Sequence, residues 1–511
     1  MIVRKIALLL ATGSIFVLGA CGGSGGGGSN SPTITSVNVS CTPNLVGSGG
    51  SAQCSAAVSG TGSFSTAVTW TASAGSISSS GVLTAPAVAG TGTPGGGGTS
   101  NVQPIVVDSG PQPQTFGAVN VAYTTVTVCA PGTNNCQNID HVQVDTGSEG
   151  LRLIAGVLDS ASVTVTATST QDMTKSGTAS VTATLLPLSS VNECLVFADG
   201  YVWGPVGAAD ISFAGATGET SPSTPVQIII PSSVAPAVPS SCSSQNPSGG
   251  AGNEGGSVMA FGANGILGVG PFQTDCGGYC VQEGMSCGSS NQPCVYYTCS
   301  GSTCSGTNVA LNQQVFNPVI AFGIDNNGVL IQLPSVPNGG SQNPTGSLIF
   351  GISTQSNNKL TLANNLYQIP DTGNNAGDFI TTFNGQSYSQ SFIDSGSNGL
   401  FFLDTSTTGI PTCASPNQPW YCPNTSPDSL TATNQGQNSS GQGVGPAVPV
   451  SFTVEDATTL FSTNNTAFST LAGPNAGAFD WGLSFFYGRN MFTAIDGAIV
   501  SGAPNGPFFA Y

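Results

Sequence analysis

Two short stretches of the chain repeat one order of residue types around an aspartate. They are Val144-Asp145-Thr146-Gly147-Ser148-Glu149-Gly150-Leu151 and Ile393-Asp394-Ser395-Gly396-Ser397-Asn398-Gly399-Leu400. An apolar residue leads into Asp, and then come a small hydroxyl residue, Gly, Ser, one free position, Gly and Leu. A chain this rich in Gly and Ser can produce one such string by chance. Two, about half a chain apart, point to a duplicated fold that brings two carboxylates together. Carboxylates a few ångström apart cannot both ionise cheaply, so one pKa rises and the other falls. One then acts as general base on a shared water, while the other, protonated, polarises a substrate carbonyl. This is chemistry for hydrolysing a peptide bond, and it calls for no metal, no cofactor and no nucleophilic side chain.

The neighbouring residues have matching tasks. The hydroxyls of Thr146 and Ser395 can bond across to the opposite loop and lock the pair. Ser148 and Ser397 can donate to the carboxylates. Gly147 and Gly396 are expected to permit the backbone conformation of a tight turn. Asp108-Ser109-Gly110 also reads Asp-Ser-Gly, but it continues Pro111-Gln112-Pro113 and lacks the Ser-x-Gly-Leu tail, so it reads as a turn. His141 is the single histidine. With no candidate serine elbow elsewhere, a serine or cysteine triad is disfavoured. His141 reads instead as a strand residue close to the first motif.

The elements that must hold these loops are strands. Val, Thr and aromatic residues alternate in short runs broken by Gly, Pro and Asn, and no long segment carries a helical apolar period. Runs such as Ile105-Val106-Val107, Val126-Thr127-Val128 and His141-Val142-Gln143-Val144 predict an all-β chain. Asp325-Asn326-Asn327-Gly328 has the chemistry of a hairpin turn. Residues 423–445 are polar and are expected to form a surface loop.

At 511 residues the chain can hold two or three domains. Residues 1–21 read as a secretion signal: Arg4-Lys5, an apolar run from Ile6 to Leu18, then Leu18-Gly19-Ala20-Cys21, which resembles a bacterial lipobox with Cys21 as the lipidated residue. Residues 22–33 form a Gly/Ser tether. The chain is therefore expected to be exported and lipid-anchored to the bacterial cell envelope, at the outer membrane or cell surface. Against 23 acids it carries six basic residues. That balance disfavours nucleic acid as a partner and leaves the anchor as the membrane contact. Removing Cys21 from 15 cysteines leaves an even number for an oxidising compartment. Cys41/Cys54, Cys129/Cys136, Cys194/Cys242 and Cys413/Cys422 are plausible pairs. The cluster Cys276, Cys280, Cys287, Cys294, Cys299 and Cys304 reads as a disulfide knot rather than a zinc site, because no histidine lies near it.

Residues 34–100 resemble a bacterial immunoglobulin-like domain, with Trp70 as its expected core residue. That family's closing hairpin corresponds to Val163–Thr182, which arrives only after Asp145. Either 161–184 complete the sandwich, or they form a local hairpin of the next domain.

The remainder resembles a pepsin-like aspartic peptidase. Besides the two aspartate motifs, Asn264-Gly265-Ile266-Leu267-Gly268-Val269-Gly270 and Trp481-Gly482-Leu483-Ser484-Phe485-Phe486 are similar to the segments that cross beneath each aspartate loop in that family. The chain is also similar to a group of bacterial secreted lipoproteins known only as a domain of unknown function. The resemblance implies a bilobal double β-barrel, with an N-terminal lobe at 101–352 and a C-terminal lobe at 353–511. It implies an aspartic endopeptidase with Asp145 and Asp394 catalytic, acting as a monomer on polypeptide. Phe197, Tyr201 and Trp203 are the candidates for the flap that closes on substrate. Two departures stand out: Arg152 occupies a position that is aromatic or apolar in that family, and Leu483-Ser484 stand where pepsins carry Asp. The alternative function is a non-catalytic, pepsin-like binding or adhesion protein.

Overall fold

The computed structural model describes residues 31–92, 100–111, 117–198, 200–213, 218–234, 236–244, 253–281, 294–300, 303–361 and 364–511. Cys21, most of the tether, Pro94–Gly98, Asp199 and Cys287 lie outside them. Strands dominate, and helices are confined to single turns such as Val258–Phe261 and Ala457–Leu460. No helix among the described residues is long and apolar enough to cross a membrane.

The chain divides into two compact units. One consists of Val88–Ser160 with Thr184–Tyr511, and within the described residues the other consists of 31–87 with Ala161–Ala183. The smaller unit holds two four-stranded sheets. In one, Thr33–Thr42 pairs antiparallel with Ser51–Thr61, and Cys41 and Cys54 are register partners joined by a disulfide. In the other, Ser160–Ser169 pairs with Val68–Ala72, so the hairpin that follows the first aspartate motif belongs to this sheet. Alternation buries Val37, Leu83, Val163, Val165 and Val181. Trp70 is only half-buried, so these aliphatic residues, and not the tryptophan, form the core.

The larger unit is all-β and two-lobed. Its first lobe belongs to a 16-stranded sheet, in which Gly200–Phe213 pairs with both Thr220–Ile229 and Tyr123–Cys129 and so closes a barrel. A seven-stranded sheet makes up most of the second lobe, whose remaining strands Leu366–Gln368, Asn490–Ala494 and Phe508–Ala510 join the 16-stranded sheet. Each lobe contains the same crossing. In the first, Gly265–Val269 runs parallel to Cys136–Asp145 on one side and antiparallel to Glu149–Ile154 on the other. In the second, Asn475–Trp481 runs parallel to Gln386–Ile393 and antiparallel to Leu400–Leu403. Asp145 closes its strand, and Asp394 directly follows Ile393 at the end of the matching one.

Two local expectations fail. Asp325 does not sit in a hairpin: the element before it is the 3-10 turn Pro318–Ala321. Its carboxylate instead accepts from Thr354 and Gln355, while Asn327 ties Ile352 and Ile499. Nor are residues 423–445 a loop, since Asp428–Gln437 pairs along its length with Gly443–Val454. Polar composition hid this strand pair because its inner face includes polar side chains: Asn434 is fully buried against Thr381 and Tyr511.

Six disulfides close among the described residues. Cys129–Cys136, Cys194–Cys242 and Cys413–Cys422 join Cys41–Cys54, and within the dense cluster Cys276 pairs with Cys280 and Cys299 with Cys304.

Candidate active site

The two aspartate loops meet face to face. The Ser395 N–H donates to Thr146 Oγ1 at 2.9 Å, and the Thr146 N–H donates to Ser395 Oγ at 3.1 Å. Each hydroxyl then donates onward to the strand of the opposite loop, Ser395 to Val144 O at 2.8 Å and Thr146 to Ile393 O at 3.4 Å. All of these groups are buried, so each bond replaces an otherwise unsatisfied donor or acceptor. Gln143 adds a further tie through its side-chain amide to Gly396 O at 2.7 Å.

Within each loop the carboxylate is fixed the same way. The Gly147 N–H donates to Asp145 Oδ1 and the Gly396 N–H to Asp394 Oδ1, both at 2.7 Å. Ser148 donates to Asp145 Oδ2, and Ser397 donates to Asp394 Oδ2 at 2.8 Å. The glycines serve a different purpose from the one expected, as neither has a positive φ. A Cβ on Gly147 would lie 2.7 Å from the Asp394 carboxyl carbon, and one on Gly396 would lie 2.5 Å from Asp145 Oδ1. What glycine supplies here is room for the opposite carboxylate.

The two carboxyls lie close together, since a single Cβ on Gly396 would lie 2.5 Å from Asp145 Oδ1 and 3.0 Å from Asp394 Oδ1. Burial first, then the adjacent Asp394 charge and hydrogen bond, raise the pKa of Asp145 well above the ordinary carboxylate value. Asp145 is 4% exposed, so its charged form is costly to keep.

The flap candidates sit on the hairpin of Leu188–Phe197 and Gly200–Phe213. Trp203 is buried against Tyr297, and its indole N–H donates to Pro236 O at 3.0 Å. Tyr201 is 7% exposed. Phe197, at the strand end, is the most open of the three and meets Phe261 edge-on.

Behind the loops lie charged groups of two kinds. Arg152 is fully buried, donating to Glu193 Oε1 at 2.5 Å, to Asp275 Oδ2 at 3.2 Å and to Glu149 O at 2.6 Å. Tyr296 donates to the same Asp275 carboxyl. Burial pushes Glu149 up to about 7, opposed by the Phe272 N–H and by Arg152. Behind the second loop lies Asp480, a residue the sequence reading passed over. It is 6% exposed, and its Oδ1 has no partner. The signal was available: aligning Trp481-Gly482 on Leu267-Gly268 sets Asp480 opposite Ile266. His141 stands apart from the pair, between Asp108 and Asp140, at a φ of 47°.

No curated protein matches the chain. Among solved structures it is similar to the crystal structure of aspartic proteinase from Irpex lacteus, at 13% identity and a TM-score of 0.42, covering 80% of this chain and 96% of that one. A family model described as "Protein of unknown function (DUF3443)" matches residues 97–511, and the chain belongs to that family.

Proposed function

We propose that this protein is an aspartic endopeptidase, exported and held to the cell envelope by lipid on Cys21. One observation carries the reading: two carboxyls face each other across a gap that only glycine permits, locked by reciprocal hydroxyl bonds, with the pKa of Asp145 raised by burial and by Asp394. Asp394 takes a proton from a water bound between the carboxyls as the water oxygen adds to the scissile carbon. Asp145 gives its proton to the carbonyl oxygen. On collapse the carbon–nitrogen bond breaks, the nitrogen receives the proton held by Asp394, and Asp145 recovers its own. Phe197 is the flap residue that closes over the substrate. The signal segment and the disulfides support export, and the protein works as a monomer on unfolded polypeptide.

The test is cleavage of unfolded casein by the mature protein across the acid range, with and without a statine-type peptide. Cleavage blocked by that peptide and abolished in both Asp145→Asn and Asp394→Asn is the expected result. A protein that binds the statine peptide but cleaves nothing at any pH is instead a pepsin-like binding protein. Full activity with one aspartate gone would falsify the mechanism.

A further inference from the structure

The larger unit contains a cavity of about 260 Å³ that is separate from the aspartate pair, since neither Asp145 nor Asp394 lines it. Its floor is apolar: Val336, Leu400, Phe452 and Phe485 line it, and each is buried. Ser335, Asn338 and Ser451 also line it and are exposed, so polar groups stand at its mouth. Pockets for drug-sized ligands run to roughly 300–1,000 Å³, so this one suits a group about the size of one amino-acid residue.

One lining side chain is charged, and it is Arg489. Its guanidinium lies over the Phe485 ring, 4.0 Å from the centroid, and Nη1 donates to Phe485 O at 2.8 Å. These contacts hold the head group in place and leave most of its five N–H donors unused. The remaining nitrogens bond to no described residue and are not sealed from solvent. Ion pairs among the described residues involve His141 and Arg152, and none involves Arg489. In a chain with 23 acids and six basic residues, an arginine without a carboxylate needs a reason. The acid attached to the cavity wall, Glu455, is already bonded to Thr470 and to the Gly339 N–H. Partial burial disfavours the charge on Arg489 and lowers its pKa, so an anion beside it would replace what water no longer supplies.

We propose that this cavity binds a small organic carboxylate with an apolar body, the anion on Arg489 and the body on Val336, Leu400, Phe452 and Phe485. A guanidinium offers parallel N–H groups that match the two oxygens of a carboxylate. Because Phe485 already holds the guanidinium, little freedom is lost on binding. The apolar floor favours a ligand that can cover it, which a bare inorganic anion cannot do. The C-terminal residue of a peptide and a free aromatic acid share this chemistry. The site does not depend on the peptidase reading.

The test is calorimetric titration of the mature protein with N-acetyl-phenylalanine at about pH 6, where a carboxyl of pKa about 3.5 is ionised. Binding is expected, and the amide of the same compound should bind about tenfold more weakly or worse, because it lacks the charge. Arg489→Gln should weaken binding of the acid by a similar factor. Arg489→Lys keeps the charge without the planar fork and should fall between. Ser451→Trp fills the mouth from an exposed strand position and should abolish binding with Arg489 intact, so the test stands even where the Arg489 variants fail to fold. An excess of statine-type peptide should not displace the acid, because the aspartate pair lies elsewhere. Phenylpropionate binding as tightly as N-acetyl-phenylalanine assigns the site to free acids, and weaker binding assigns it to peptide ends. Both outcomes support the proposal. It is overturned by no binding, by equal binding of acid and amide, by unchanged binding in Arg489→Gln, or by displacement with the statine peptide. Inorganic phosphate binding as tightly as the acid would also overturn it, since the apolar floor would then contribute nothing.

Discussion

The two aspartate loops are built on one plan and supported in opposite ways. Asp145 and Asp394 end matching strands, accept from matching Gly N–H and Ser hydroxyl groups, and sit beside matching crossings. Beneath them the register pairs differ, and one differs in where it puts charge: Arg152 lies opposite Ile266 in the first lobe, and Phe401 lies opposite Asp480 in the second. The first lobe thus buries a cation and compensates it with Glu193 and Asp275, 41 and 123 residues further along the chain. The second buries a lone acid within aromatic residues, with Phe479, Trp481 and Phe485 in successive ring contact. The hydrogen bonds of the paired loops demand symmetry, while the layer below needs only to fill space and balance charge.

The comparison breaks most visibly at the carboxylates. On the proposed peptidase mechanism, Asp145→Asn and Asp394→Asn should each reduce kcat/KM by at least about a thousandfold, because each removes the acid or the base of that mechanism. The measurement is casein cleavage at the wild-type optimum. Unequal residual activity would show that one loop can work without the other.

The next effect belongs to the layer below. Arg152→Met leaves Glu193 and Asp275 buried without their cation and should destabilise the protein by about 3–5 kcal/mol at neutral pH. The penalty should shrink in acid, where Asp275, already raised by burial and by Glu193, takes up a proton. At the matching position, Phe401→Ala should cost about 2 kcal/mol at every pH, since what it loses is ring contact with Trp420. Thermal melts of both variants at pH 4 and pH 7 separate the two behaviours. A pH-independent loss in Arg152→Met would show that the cluster is held by packing and not by charge.

Burial of acids also sets the pH dependence of the whole fold. Glu149 is raised to about 7 from an ordinary 4.5, so its folded form binds a proton more tightly than its unfolded form. Its contribution is therefore complete below the unfolded pKa and is lost as pH rises through about 7. It amounts to roughly 3 kcal/mol, and Asp145, Asp275 and Asp480 are raised in the same direction. The wild-type protein should melt higher at pH 4 than at pH 8, and Glu149→Gln should reduce that difference. A melting temperature that rises with pH would contradict this burial.

How much of this was legible in the sequence follows from the range of each interaction. The loop bonds span two or three residues, so a fixed string of Asp, Gly and Ser encodes them. Cystine pairs across short gaps, such as Cys129–Cys136 and Cys413–Cys422, are legible for the same reason. The partners of Arg152 are not, because only the folded sheet brings Glu193 and Asp275 to it. Asp480 was hidden differently: its offset from Gly482 was in plain view, but an acid in a strand carries meaning only once the neighbouring strands prove to offer phenylalanine on both sides. The Asp428–Gln437 strand was missed because its buried face includes Asn and Gln, which composition assigns to surface.

The smallest test concerns the lock itself, where the two loops are most alike. Each hydroxyl accepts one backbone N–H and donates to one carbonyl, but not at equal lengths. Ser395 donates to Val144 O at 2.8 Å, whereas Thr146 donates to Ile393 O at 3.4 Å, near the limit for a hydroxyl donor. Ser395→Ala therefore removes two good bonds, and Thr146→Val removes one good bond and one weak one. At about 1 kcal/mol for each good bond, Ser395→Ala should cost about 2 kcal/mol and Thr146→Val about half as much again as a single bond. The double variant should cost less than the sum, because either change already strands a donor of the other loop. Denaturant midpoints of the three proteins measure this directly. Equal costs would mean that Thr146 recovers in solution the symmetry that its bond lengths lack, and strict additivity would mean that the two hydroxyls act as separate braces and not as one lock.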